Sequence, residues 1–140
     1  MIKPLNISWS ETKKNVESVI KKYIYYNLSL DSSSEFKINK DFSYNMIDER
    51  DINDAYIRLS SEEIKDRVKY INYVRFSYNK LNCCERKIIY WTYLDKEKNY
   101  DDSYIANNLG FSLGYYYIKK KETLITFAYS LGVEELSKRN

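Results

Sequence analysis

Hydrophobic residues in the N-terminal half of the chain recur every three or four positions, which is the period of an α-helix with one buried face. Ser8 and Glu11 stand three residues apart, as in a capping box, and predict a helix over about residues 10–27. Residues 29–45 are rich in Ser, Asp and Lys without a sustained period, and they predict a loop or a disordered segment. A second helix is predicted over 47–59. The apolar face of the first helix holds Val16, Val19, Ile20, Tyr23, Ile24 and Leu28, and that of the second Ile52, Ala55, Tyr56 and Leu59.

A longer helical run follows and allows two interpretations. Ser60 and Glu63 form another capping-box pair, and the run that they begin extends to Leu81. Its spacing suits either the core face of a helix or the seam of a coiled-coil dimer. We favour the core, because three heptads are few for a coiled coil. The apolar positions are Ile64, Val68, Ile71, Val74 or Arg75, Tyr78 and Leu81.

The C-terminal half carries the start and stop signals of three further helices. Asn82 and Glu85 form a third capping-box pair and begin a helix that extends to Leu94. A polar connector over 95–99 separates it from a short helix that Asp101 can cap. Every sustained period along the chain is helical, so the sequence predicts an all-α fold.

The segment 101–131 has the parts of a helix-turn-helix. Its short helix ends at Gly110, which suits the left-handed conformation that terminates helices. A three-residue turn then leads to a longer helix that Ser112 caps and Gly132 ends. Ala106 is small where the two helices must cross closely. The predicted contact brings Ile105 and Leu109 against Tyr116 and Leu124.

The second helix of a helix-turn-helix lies in the major groove of DNA, with its N-terminal residues at the base edges. Here those residues are Leu113, Gly114, Tyr115, Tyr117 and Ile118. The tyrosines can donate to phosphates or contact thymine methyl groups. The lysines that follow are placed to meet phosphates. Two serines near the starts of the two helices are further candidates. The remaining candidate DNA contacts are therefore Ser103, Ser112, Lys119, Lys120 and Lys121.

A structural role for the same residues stays open. A lysine triplet on a helix is usually a solvated face, and tyrosines can fill a hydrophobic seam between helices. The charge from Ser112 to Thr126 is three Lys minus Glu122, or +2, which is modest. One copy would bind duplex DNA weakly, so we expect a second copy or another protein to assist.

The composition limits the chemistry of the chain. Its 23 Lys and Arg minus 20 Asp and Glu give +3, too mild a charge to indicate a nucleic-acid binder by itself. There are 16 Tyr and no His, so the commonest general base and metal ligand is absent. We therefore predict a protein that is not an enzyme, with no cofactor and no metal site. The adjacent Cys83 and Cys84 suit either a redox switch or, as we favour, two small residues that begin a helix.

The hydrophobic runs also bear on the compartment. Met1–Pro4 are not followed by the apolar run of a signal peptide, and no stretch approaches the ~18 apolar residues of a membrane span. We expect a cytoplasmic protein without membrane contact.

Residues Leu81 to Leu131 resemble region 4 of sigma-70-type factors. The matching motifs are Leu81-x4-Arg86-x-Ile88-Ile89-x3-Tyr93-Leu94, Ile105-Ala106-x2-Leu109-Gly110-x-Ser112 and Leu124-x2-Phe127-Ala128. The chain is more closely similar to the ArpU family of phage- and prophage-encoded regulators from low-GC Gram-positive bacteria. That similarity lies in Tyr93-Leu94, Asp102-x2-Ile105, Ser112-x3-Tyr116-Tyr117-x2-Lys120 and Leu124-x2-Phe127-Ala128-x2-Leu131-Gly132. The stretch Asn15-Val16-x6-Tyr23 also fits, so the resemblance covers nearly the whole chain.

The resemblance implies an N-terminal helical region over 1–80, with a flexible loop at about 29–46, and a region 4-like DNA-binding domain over 81–140. It implies a sequence-specific, double-stranded-DNA-binding transcriptional regulator, an activator of phage or mobile-element late genes for lysis or packaging. The expected partners are RNA polymerase, a second copy in a homodimer and a phage- or satellite-encoded regulator protein. The resemblance also implies a bacterial host, with the protein associated with the nucleoid.

Two alternatives remain open. One is a region 4-like interaction module that docks on RNA polymerase or an anti-activator without reading DNA. The other is a small terminase-type DNA-packaging subunit, although its helix-turn-helix usually comes first in the chain.

The chain departs from the region 4 pattern at several positions. The position of Leu113 is often charged in such helices, and that of Gly114 often carries a polar side chain. Lys119 stands where an apolar residue is usual, and Cys83-Cys84 replace an acidic pair at a helix start. The first two departures weaken direct hydrogen-bonded readout of bases.

Overall fold

The computed structural model of the chain describes residues 6–30, 37–52, 57–95, 98 and 100–137. These residues contain five α-helices and no β-strand, and the all-α prediction is confirmed. A 3-10 turn covers Glu49–Asp51, and α3 continues into a π-helical turn over Tyr90–Leu94. The α-helices are α1 (Trp9–Ser29), α2 (Ser61–Asn79), α3 (Cys83–Ile89), α4 (Asp102–Leu109) and α5 (Leu113–Leu131). No helix in this part of the chain combines the length and the apolar character that crossing a bilayer requires.

The main hydrophobic core lies where α1, α2 and α5 pack against one another. It draws side chains from both sides of the predicted boundary at residue 81, so the regions 1–80 and 81–140 share one core. The predicted face of α2 is buried in this core along its whole length, which agrees with the core interpretation of that face. The central side chains are Val16, Ile20 and Tyr23 of α1, Ile71, Val74 and Tyr78 of α2, and Leu124, Phe127 and Ala128 of α5.

The capping signals of the N-terminal half were partly right. Both bonds of the capping box are present at Ser60 and Glu63, which begin α2. Ser8 stands at the predicted N-cap of α1, but its side chain forms no cap hydrogen bond. Its backbone N–H instead donates to the carbonyl oxygen of Glu135 at 2.8 Å, and Thr12 Oγ1 accepts from the Glu135 N–H at 3.0 Å. The C-terminal tail therefore stabilises the start of α1.

The predicted helix over 47–59 is wrong for the residues that the structure describes. In that segment only Glu49–Asp51 are helical, in the 3-10 turn, and residues 53–56, with Ala55 and Tyr56, lie outside the described residues. The backbone N–H of Ile47 donates to Asn72 Oδ1 at 2.7 Å, and its carbonyl accepts from Asn72 Nδ2 at 2.7 Å. These bonds to α2 use backbone groups that a helix would pair internally.

The loop over 37–48 is held on α2 by a second asparagine. Asn79 Nδ2 donates to the carbonyl of Tyr44 at 2.8 Å, and Asn79 Oδ1 accepts from its N–H at 3.0 Å. Between the two asparagines, buried Arg75 donates from Nε to the hydroxyl of Tyr23 at 2.9 Å. The predicted loop is thus irregular backbone with a turn at 40–42, anchored along one face of α2, while residues 31–36 lie outside the described part of the chain.

One apolar position of α1 was also assigned wrongly. Leu28 was expected on the buried face but is 56% exposed, and the neighbouring Asn27 is fully buried in its place. A helix turns by about 100° per residue, so a small shift in the direction of the buried face exchanges adjacent residues.

Candidate nucleic-acid interface

The predicted pair of C-terminal helices is present with its capping interactions. Asp101 accepts the N–H of Tyr104 at 2.8 Å and so caps α4. Gly110 ends α4 at φ +73°, with hydrogen bonds from Gly110 N–H to Asn107 O at 3.1 Å and from Phe111 N–H to Ala106 O at 2.9 Å. This is a Schellman motif, which requires the positive φ that glycine adopts without strain.

Ser112 completes the turn between α4 and α5. Its hydroxyl accepts the N–H of Tyr115 at 3.2 Å, as the sequence predicts for an N-cap. The connection is therefore only Gly110, Phe111 and Ser112, which fixes the angle at which α5 leaves α4.

A second, smaller core holds α4 against α3 and α5. Ile88, Ile105, Ala106 and Tyr116 are its buried members, and Leu109 is half-buried beside them. The small side chain of Ala106 lies in this contact, as predicted. Leu124, predicted in the same contact, belongs to the main core instead, because it lies two helical turns further along α5.

A polar network closes the outer edge of this smaller core. The hydroxyl of buried Tyr116 donates to Asp102 Oδ1 at 3.2 Å, and Lys120 Nζ forms an ion pair with the same oxygen at 3.0 Å. Burial raises the pKa of the Tyr116 hydroxyl well above its ordinary value; the Thr92 hydroxyl opposes this shift and the Asp102 carboxylate adds to it. Asp102 thereby links the first turn of α4 to two successive turns of α5.

The opposite side of the N-terminal half of α5 is open to solvent. Gly114, Ile118 and Lys121 follow one another at spacings of four and three along its outermost line, with Tyr115 and Tyr117 on either side. Ile118 is 60% exposed, Tyr115 51% and Tyr117 50%. We call Gly114, Tyr115, Tyr117, Ile118 and Lys121 the outer face of α5. Leu113, the first residue of α5, is also exposed but lies about 140° around the helix from Ile118.

The structure therefore separates the residues that the sequence grouped as DNA contacts. Tyr116 fills the core, whereas Tyr115 and Tyr117 do not fill the seam between the helices. Gly114 and Ile118 lie together on the outer face, and Leu113 is exposed separately at the first residue of α5. Ser103 lies exposed on α4, and Ser112 is exposed at the turn, where its hydroxyl is engaged as a cap.

The three lysines point in three directions around α5. Lys120 is ion-paired with Asp102 and half-buried. Lys119 lies on the side of α3, near Cys84. Lys121 is exposed, with Nζ 5.3 Å from the centre of the Trp9 ring, where a cation–π contact is favourable. The triplet is therefore not a single basic patch.

Cys83 and Cys84 begin α3 without a disulfide between them. Cys84 is half-buried against the smaller core, and this burial raises the pKa of its thiol, although nearby Lys119 opposes the shift. A raised pKa disfavours the reactive thiolate, so the geometry favours two small residues at a helix start. Among the described residues no three His, Cys, Asp or Glu side chains are grouped as they would be to hold a metal ion.

One surface cluster was not anticipated from the sequence. Where α1 and α2 meet, Arg67 lies 4.7 Å from the centre of the Tyr26 ring, and Lys22 Nζ lies 4.6 Å from the centre of the Tyr70 ring. The two rings meet edge to face at 5.4 Å. The sequence shows the helical spacing of these residues within α1 and within α2. That spacing does not show which side of α1 contacts which side of α2, so the cluster could not be predicted from it.

No protein-family model, no curated protein and no solved structure matches this chain. The resemblance to region 4 and to the ArpU family therefore stays a prediction from the quoted motifs.

Proposed function

We propose that this protein binds double-stranded DNA by placing the outer face of α5 in the major groove, with α4 and α5 acting as a helix-turn-helix. The observation that carries the proposal is that α5 is packed against α4 on one side and exposed to solvent on the other. One side is fastened to α4 by Tyr116 and Lys120, and the other presents exposed side chains on the first two turns of the helix. A recognition helix must be held in this way and must contact base edges with the same turns.

The charges near α5 support this interface and limit its strength. No acidic residue occurs from Leu113 to Lys121, and Lys121 remains exposed at the end of the outer face. The first turn of each of the other α-helices contains an acidic residue, whereas that of α5 has none, so the positive end of its dipole is uncompensated. Because Lys120 is paired with Asp102, the remaining charge is small, and binding would need a second copy or RNA polymerase.

The biological setting that we propose follows the resemblance. A phage or mobile-element regulator would occupy a late promoter and position RNA polymerase there, without catalysing a reaction itself. The specific role of α5 in this mechanism is positioning: hydroxyl and ammonium groups meet phosphates, and the outer face meets base edges.

A second candidate is a protein-interaction module that uses the same helix. It is favoured by the apolar character of Leu113 and Ile118, since exposed apolar side chains are also typical of protein interfaces. Direct binding of duplex DNA by the purified protein distinguishes the two functions.

The test uses the purified full-length chain and a fluorescent pool of random duplexes at two low salt concentrations. We expect measurable binding that weakens with salt, and a large loss for Ile118→Glu, which places a negative charge in the major groove between the two phosphate backbones. The matched control is Tyr129→Glu, an exposed position at the other end of α5. If the folded wild-type protein binds no duplex at either concentration, the DNA-binding proposal fails and the interaction module stands.

A further inference from the structure

The first two turns of α5 lack the side chains that read bases through paired hydrogen bonds. Residues 113–118 contain two aliphatic side chains, one glycine and three tyrosines, and no Arg, Lys, Asn, Gln, Asp or Glu. Arg or Lys on guanine and Asn or Gln on adenine are the usual bidentate pairs in the major groove. A helix that presents Leu113 and Ile118 offers none of these pairs.

Apolar contact is what these residues can provide. In the major groove the C5-methyl group of thymine is the apolar feature that distinguishes one base pair from another. We propose that the outer face of α5 recognises thymine methyl groups, with Ile118 as the specificity-determining side chain. The inference rests on the proposed function, and it adds the class of sequence that α5 prefers: duplex rich in thymine.

Gly114 provides an independent reason to expect close approach of DNA to α5. A Cβ built at this position meets nothing within 4 Å, and its φ is not positive, so neither packing nor backbone geometry requires glycine. Glycine in the middle of a helix costs about 0.5–1 kcal/mol relative to alanine, and the cost is smaller at Gly114, the second residue of α5. It lies on the outermost line of α5 beside Ile118, where the missing side chain lets a base edge approach the helix backbone.

The dimensions of the outer face set the length of the preferred site. From Gly114 to Ile118 the helix rises about 6 Å, at about 1.5 Å per residue. Base pairs are stacked about 3.4 Å apart, so this part of the face covers about two base pairs. Tyr115 and Tyr117 lie on its two sides, where their hydroxyls can donate to the flanking phosphates.

The experiment begins by selecting duplexes from a random pool with the purified full-length protein. We expect the selected sequences to share a short thymine-rich element. Each thymine of that element is then replaced by uracil, which removes only the methyl group. We expect binding to weaken by about fourfold for each contacted methyl, the factor for one buried CH2-sized group, with no effect of uracil outside the element.

The variant Ile118→Ala links the effect to a residue. For this variant the affinities for the thymine and uracil duplexes should differ less than for the wild type. The control Tyr129→Ala should keep the wild-type difference in affinity. Gly114→Ala should raise the melting temperature and still weaken binding to the selected duplex, a combination that a purely structural glycine would not give. Circular dichroism of each variant verifies that it is folded.

The outcomes separate the inference from the proposed function. Selection of guanine-rich sites, selection of no shared element, or equal binding of thymine and uracil duplexes would overturn the inference and leave DNA binding intact. Absence of any duplex binding would overturn the proposed function, and the inference with it.

Discussion

Lys120 Nζ lies 3.0 Å from Asp102 Oδ1, the same oxygen that accepts the hydrogen bond of the Tyr116 hydroxyl. The pair joins the first turn of α4 to the middle of α5, and the two side chains are only 20% and 33% exposed. One lysine of the basic triplet therefore holds the two helices together. Because Asp102 neutralises its charge, Lys120 contributes little to phosphate binding.

Replacement of single lysines should separate stability from DNA binding. We expect Lys120→Met to lower the free energy of unfolding by about 1 kcal/mol, since a partly buried carboxylate loses its partner. Lys121→Met should leave stability within about 0.5 kcal/mol of wild type. It should instead reduce the slope of log affinity against log salt by about one, because one phosphate contact is lost.

Urea unfolding and duplex titrations over a salt series measure the two effects. Lys120→Met should leave the salt slope unchanged. A reduced slope for Lys120→Met with full stability would show that Lys120 contacts phosphate and that the ion pair with Asp102 contributes little.

Ile71 tests whether α2 serves the core or a dimer seam. Its side chain is completely buried within one chain, so we expect Ile71→Ala to cost about 2–5 kcal/mol and Ile71→Asp to prevent folding. The control is Phe76→Ala on the exposed side of α2, where Phe76 is 58% exposed and the expected cost is below about 0.5 kcal/mol. Unfolding curves and sedimentation provide the measurement; a folded monomer of Ile71→Asp would restore the dimer-seam interpretation.

Two serines with the same sequence signal should respond differently to alanine. Ser60→Ala removes a side-chain acceptor that bonds the N–H of Glu63 at 3.2 Å, and we expect a loss of about 1 kcal/mol. Ser8→Ala removes no cap bond, so its effect should be clearly smaller. Thermal unfolding of the two variants gives the comparison, and equal losses would mean that Ser8 does cap α1 in solution.

Buried tyrosines should make the protein sensitive to alkali. Burial raises the pKa of Tyr44, Tyr78 and Tyr116 far above the ordinary value of 10.0, and partial burial together with Glu17 does the same for Tyr93. A folded-state pKa above the unfolded one means that the stability these groups contribute is complete below pH 10 and declines as the pH rises further. Tyrosinate absorbance should therefore show exposed tyrosines ionising first, and the buried ones only with loss of the helical circular dichroism signal. Ionisation of all tyrosines in one step near pH 10 with the helices intact would contradict the burial.

The local signals of the sequence located most of the helices correctly. Ser60 with Glu63, Asn82 with Glu85, Asp101 and Ser112 each cap a helix at the predicted position. Gly110 and Gly132 end α4 and α5 at positive φ, as predicted. These interactions join residues a few positions apart, so the residues that form them are visible in the sequence.

The sequence predictions failed where a distant segment hydrogen-bonds the same backbone groups that the predicted local structure would use. Helical spacing over 47–59 could not show that Asn72 of α2 would take both backbone bonds of Ile47. The pair Ser8 and Glu11 could not show that the tail at Glu135 would bond the start of α1. In each case a long-range hydrogen bond replaced the local one that the pattern predicts.

The features of the candidate site fall into the same two groups: those set by neighbours in the chain and those set by contacts with distant segments. By itself the sequence determined the short helix, the three-residue turn, the longer helix and the apolar, tyrosine-rich first turns of α5, because those features depend on neighbours in the chain. Only the tertiary structure decided that Lys120 pairs with Asp102 and that the hydroxyl of Tyr116 donates to the same carboxylate oxygen. The direction in which a helix presents its residues depends on what packs against it, and that is set by residues far away in the sequence.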